Sequence, residues 1–95
     1  MDTYTVAGSV ARFPGPKGWF YLTLPEELEA VFRPVVRARW PALVGLRCTV
    51  GGTTWDGAIM PIQAGPLFIA LPAPVRRKEH LDVGSAVTLA FALRA

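Results

Sequence analysis

Ninety-five residues with one cysteine exclude an intrachain disulfide and any cysteine-rich zinc site. Hydrophobic residues make up 52% and charged residues 18% of the chain. That is enough apolar material for one packed domain over residues 1–95 and too little charge for a disordered segment. The net charge of +3 suits a polyanionic partner and ordinary solubility equally, and no basic arm or charged tail stands out.

In chain order, a first strand is expected from about Tyr4 to Phe13, with Tyr4, Val6 and Val10 at even spacing. Pro14-Gly15-Pro16-Lys17-Gly18 is a turn, because two prolines and two glycines in five residues cannot hold a ladder. It is not a phosphate-binding loop: it lacks the Gly-Lys-Ser/Thr ending and precedes a strand. Trp19 to Leu24 is the second strand, rich in aromatic residues. Pro25 suits a helix N1 position, with Glu26, Glu27 and Glu29 at the positive end of the helix dipole. Leu28, Val31, Phe32 and Val35 supply a buried face, and Pro34 should end the helix near Phe32, with a second turn continuing towards Arg39.

Gly51-Gly52 between two strand-like runs is a two-residue hairpin loop, and it fixes the register. Val50 opposes Thr53; Arg47 then faces Asp56 and Thr49 faces Thr54 on one side, while Cys48 faces Trp55 and Val44 faces Ile59 on the other. Polar and apolar pairs then fall on separate faces, which a one-residue slip would destroy by putting Trp55 in water. Leu67 to Leu71 is uniformly apolar, a strand buried on both faces. Pro72 opens a short helix or turn through Val75, Lys78, Glu79 and Leu81, stopped by Val83-Gly84. The last strand, Ala86 to Leu93, alternates Val87, Leu89, Phe91 and Leu93 on one face.

The second half also repeats the first. A shift of 47 positions (72 − 25) lays Tyr21-Leu22-Thr23-Leu24-Pro25 on Phe68-Ile69-Ala70-Leu71-Pro72. The expected fold is mainly β: a six-stranded double-split β-barrel with two short helices, built as ββαβ twice, about 4–50 and 51–94, around a pseudo-twofold axis. The uncharged run from Gly57 to Val75 is long enough to raise a membrane span, but Pro61, Pro66, Pro72 and Pro74 exclude a bilayer helix. The start Met-Asp-Thr carries no basic n-region before an apolar core, so a cytoplasmic location is expected.

Several of these features carry a resemblance to the DUF1905 domains, a bacterial family of unknown function. They are Pro-Gly-Pro-Lys-Gly-Trp (14–19), Leu24-Pro25, Val50-Gly51-Gly52 with Trp55, and above all Val75-Arg76-Arg77-Lys78, Leu81-Asp82-Val83-Gly84 and Val87-Thr88-Leu89. That family is similar in turn to the swapped-hairpin barrels of AbrB-type regulators and MazE-type antitoxins, which implies a double-split barrel. Ser85 stands where the family pattern usually has Asp; it can still bond the local backbone. AbrB-type halves complete their barrel by dimerising. Here both halves lie in one chain, so the barrel can close as a monomer, and a dimer is not required for folding.

Arg76-Arg77-Lys78 is the densest basic cluster and a candidate anion or nucleic-acid contact, set against a plain solvated helix face neutralised by Glu79 and Asp82. Arg33, Arg37 and Arg39 form a second set after the first helix, on the opposite end of the barrel if the repeat holds. Lys17, Trp19 and Tyr21 form a candidate patch for stacking a base or nucleotide, although a Trp after such a turn also commonly plugs a barrel end. Trp40, between Arg39 and Pro41, caps the core or sits at an interface. His80 beside Glu79 and Asp82 lacks the spacing of a metal site, and no serine or threonine has a His–carboxylate set to activate it. Cys48 is expected to be buried and unreactive.

The reading is therefore a non-enzymatic binding domain without a cofactor. Nucleic acid and a protein are both carried as candidate partners. An AbrB-like DNA-binding regulator and a small-molecule carrier are the alternatives. A continuous basic stripe would favour DNA, a cleft lined by Trp19, Tyr21 and Phe32 a small ligand, and an exposed apolar patch at Trp40 a protein.

Overall fold

The computed structural model describes residues 2–14, 18–61 and 66–94. Seven strands and two helices follow one another as β1 (Tyr4–Ser9), β2 (Ala11–Arg12), β3 (Phe20–Thr23), α1 (Glu26–Arg39), β4 (Val44–Val50), β5 (Thr53–Pro61), β6 (Leu67–Ala70), α2 (Ala73–Glu79) and β7 (Ala86–Leu93). All seven strands join one sheet in the order β1-β7-β4-β5-β6-β3-β2, and every neighbouring pair is antiparallel.

The expected count of six strands is corrected to seven, because the first strand is broken at Val10. Tyr4 to Ser9 runs along β7, while Ala11 and Arg12 pair with Tyr21 and Phe20 of β3. Between them Val10 turns its side chain into the core and leaves its backbone to a turn: Val10 N–H donates to Ser85 O (2.9 Å) and Gly84 N–H to Val10 O (2.8 Å). The two margins of the sheet are thus consecutive pieces of one segment, and the sheet is nearly closed into a barrel. The last strand made, β7, lies between β1 and β4.

The hairpin has the register read from its sequence, from Val44↔Ile59 to Val50↔Thr53. Its polar face carries Arg47 Nε 2.7 Å from Asp56 Oδ1, with Arg94 Nη1 3.3 Å from the other oxygen. These exposed pairs contribute little, about 0–1 kcal/mol each. Gly51, at φ +56°, supplies the left-handed turn residue, and a side chain there would run into the Glu79 carboxylate. Residues Leu67 to Ile69 are buried on both faces, as their uniform apolarity requires.

Helix α1 is one continuous helix of 14 residues and does not end near Phe32. Pro34 lies exposed inside it, and the burial of Phe32 and Val36, one turn apart, carries the helix past the lost hydrogen bond. Pro25 is the N-cap residue, one position before the expected N1. Val31, assigned by spacing to the buried face, is 50% exposed, while Leu28 and Val35 pack against the core. Phe32 enters the aromatic cluster, its ring centroid 4.9 Å from that of Tyr4 and 5.6 Å from that of Phe91. Around it one apolar core joins Val6, Val10, Leu22, Leu46, Cys48, Ile59, Ile69 and Leu89. No helix among the described residues is long and apolar enough to cross a membrane.

Helix α2 stops at His80, whose φ of 55° makes a left-handed C-cap and whose N–H returns to Arg76 O. Two backbone bonds extend the pairing of β3 with β6: Leu24 N–H to Leu67 O (3.0 Å) and Leu71 N–H to Phe20 O (2.8 Å).

Candidate functional site

The start of β3, the end of β6 and the first turns of α2 converge on a groove of about 330 Å³ lined by Gly18, Trp19, Phe20, Met60, Leu71 and Arg76, among others. The chain builds it locally. Leu71 and Pro72 end β6 in extended backbone, with ψ 153° at Pro72, and α2 turns back over the sheet so that Arg76, one turn in, reaches Phe20 of the neighbouring strand. The Arg76 guanidinium carbon lies 3.7 Å from the Phe20 ring centroid, and its Nε donates to Leu71 O at 3.0 Å. An arginine stacked on a ring and tied at Nε holds its remaining donors in a set direction.

Trp19 stands at the mouth of this groove, 55% exposed, with its ring centroid 6.5 Å from that of Phe68. It therefore does not plug the barrel. Tyr21 shares the Phe68 side with Trp19 but packs away from the groove, stacked on Phe13 at 4.2 Å and edge-on to Phe68 at 5.5 Å, and does not line it. Phe32 lies in the core at 1% exposure, so the expected cleft of Trp19, Tyr21 and Phe32 is corrected to one of Trp19, Phe20 and Arg76. Lys17 lies outside the described residues.

Residues read separately in the sequence, Trp19 and Arg76, are thus brought together, while Arg77 and Lys78 stay exposed on the last turn of α2. Phe20 was missed as a site residue. Its signal was its place beside Trp19, but nothing local pointed to an arginine far along the chain.

The second basic set is not continuous with the first. Helix α1 meets the Leu67 end of β6, where the Glu29 carboxylate accepts the Leu67 N–H, whereas Arg76 binds the Leu71 end. Arg33 Nη2 lies 2.8 Å from Glu29. Partial burial works to raise the Glu29 carboxyl, but the Arg33 and Leu67 hydrogen bonds, with the Arg33 charge, bring it below its ordinary value. Arg37 lines a smaller groove of about 230 Å³ with Arg33, Val36, Trp40, Pro61 and Leu67, and Arg39 is exposed at the end of α1. A shallow depression along α1 is only a strip of that helix's own surface, from Glu26 to Ala38. Trp40 is 61% and Leu43 51% exposed, so Trp40 does not cap the core.

Cys48, the one thiol, does not line the groove. Burial first, and then the Asp56 charge, push the Cys48 thiol up to about 12, against a small lowering by the Gly57 backbone. No group of three or more His, Cys, Asp or Glu able to hold a metal occurs among the described residues.

Residues 7–91 match the family model of DUF1905, described as a domain of unknown function. No curated protein matches the chain.

Proposed function

The chain belongs to the DUF1905 family, and from that membership and the groove's geometry we propose that it is a non-enzymatic binding module whose ligand enters between β3 and α2. The observation that carries this is the Arg76 guanidinium held 3.7 Å over Phe20 beside a half-exposed Trp19. An apolar groove with one fixed cation suits a small molecule that is partly planar and carries an oxyanion. The groove's volume of about 330 Å³ is at the lower end of ordinary ligand pockets. No activated nucleophile supports an enzyme reading: the one thiol is buried and raised, and the one histidine is a helix C-cap. A carrier role agrees with the same groove. An AbrB-like duplex reader is less well supported, because the two basic sets lie at opposite ends of β6 and Arg33 is paired.

We read the barrel as two related halves. Leu22 and Ile69, 47 positions apart (69 − 22), face each other in the β3–β6 ladder, and the helices begin at Glu26 and Ala73, again 47 apart (73 − 26). The two bonds that extend this ladder exchange under the same shift. A protein partner is a second reading, favoured by the exposed Trp40 and Leu43.

A fragment titration followed by ¹H–¹⁵N spectra tests the groove. Small planar acids should shift the Trp19 indole, Phe20, Leu71 and Arg76 resonances together. Shifts confined to Trp40 and Leu43 would overturn the groove in favour of the other surface.

A further inference from the structure

Two side chains that line the groove differ in chemistry. The Trp19 indole keeps more than half its surface in solvent while its edge contact with Phe68 holds it in place. Exposed indoles cost solvation and are the residues on which single bases stack. Arg76 spends Nε on Leu71 O and its ring-facing side on Phe20. Arg33, Arg47 and Arg94 each have a carboxylate within ion-pair distance; Arg76 has none among the described residues. Its Nη groups are left as a pre-set fork for a phosphate or carboxylate. Arg77 and Lys78 follow it on the last turn of the same helix, both exposed.

Resting on the reading of this groove as the binding site, we infer that its ligand is a nucleotide, free or as one unit of a single strand, with the base on Trp19 and the phosphate on Arg76. A base supplies the planar face and a phosphate the fork-compatible anion, whether as a monoester or as the singly charged diester of a strand. Neither part alone engages both side chains. A strand would bring further phosphates into the field of Arg77 and Lys78, which are exposed on α2 outside the groove, whereas a free nucleotide would leave those two residues unused.

The test is calorimetry and ¹H–¹⁵N spectra with adenosine monophosphate, cytidine monophosphate, adenosine, inorganic phosphate and a hexa-adenylate strand. The monophosphates or the strand should shift Trp19 and Arg76, and adenosine or phosphate alone should bind at least about tenfold more weakly. Arg76→Lys keeps the charge but loses the fork, and Trp19→Leu changes an exposed side chain. Both should weaken binding about tenfold with the fold intact by circular dichroism. Arg77→Gln with Lys78→Gln separates the sources. A strand ligand would lose affinity and salt dependence, and a free nucleotide would lose neither. Binding that ignores Arg76, or adenosine binding as tightly as its phosphate, would overturn the inference. So would silence towards every nucleotide while planar acids still shift the groove, which leaves the groove itself standing. Silence towards both ligand sets would bring down the groove reading as well.

Discussion

Trp55 shows how far pairing rules reach at the scale of one residue. Its place opposite Cys48 was legible from the Gly51-Gly52 loop, and the pair is formed. Its degree of burial was not legible, since the ring is half-buried and packs on the core from its margin. The indole folds back over Gly57, where an added Cβ would lie 3.2 Å from Nε1 and 3.1 Å from Cys48 Sγ. This close approach shields the N–H from water, and it has no acceptor among the described residues. An unpaired buried donor costs about 1–3 kcal/mol. Trp55→Phe removes that donor and keeps most of the ring, so its stability should fall within about 0.5 kcal/mol of the parent or above it. Trp55→Ala should cost about 2 kcal/mol, short of the ~3–5 of a fully enclosed aromatic. Urea unfolding of both variants measures this, and a loss for the Phe variant equal to that for Ala would show that the N–H has a partner.

Among the elements, the best-read were those whose residues act locally. The β4–β5 hairpin and β7 have the extents and faces that alternation requires, because one side of each is wet or bounded by a turn. Helix α1 was misread because a local rule met a tertiary one. Pro34 removes a hydrogen bond and crowds the preceding turn, which in isolation ends a helix. Against that stand Phe32 and Val36, whose burial against the barrel is worth several kilocalories per mole together. The proline is therefore a cost carried by the packing. Pro34→Ala restores the bond at an exposed position and should stabilise the protein by on the order of 1–3 kcal/mol in urea unfolding. No gain would mean that the helix is already strained to suit the proline. The groove was half-legible for a similar reason: Trp19 and the Arg76 cluster each stood out in the sequence, but their meeting depends on how α2 leaves β6.

For the whole molecule, the mainly β class and the two helices could be read, while the seventh strand could not. Gly8-Ser9 before Val10 is too weak a signal to announce the break; it arises because the segment changes partner from β7 to β3, a choice made by residues far along the chain. Every ladder among the described residues lies within one chain, the arrangement that a barrel closing as a monomer needs. Dilution in light scattering should retain a folded monomer, and unfolding that tracks dissociation would reveal exchanged strands between copies instead. The position of β7 also bears on how the protein comes into being. The ribosome delivers this strand after the other six, yet it is needed in the middle, between the first strand and the fourth. Until it emerges, the nascent chain holds two bare strand margins, on β1 and β4, that have nothing to pair with but other chains. The barrel thus closes only once β7 is clear of the ribosome, and its window of greatest aggregation risk is the stretch of synthesis before that strand is free.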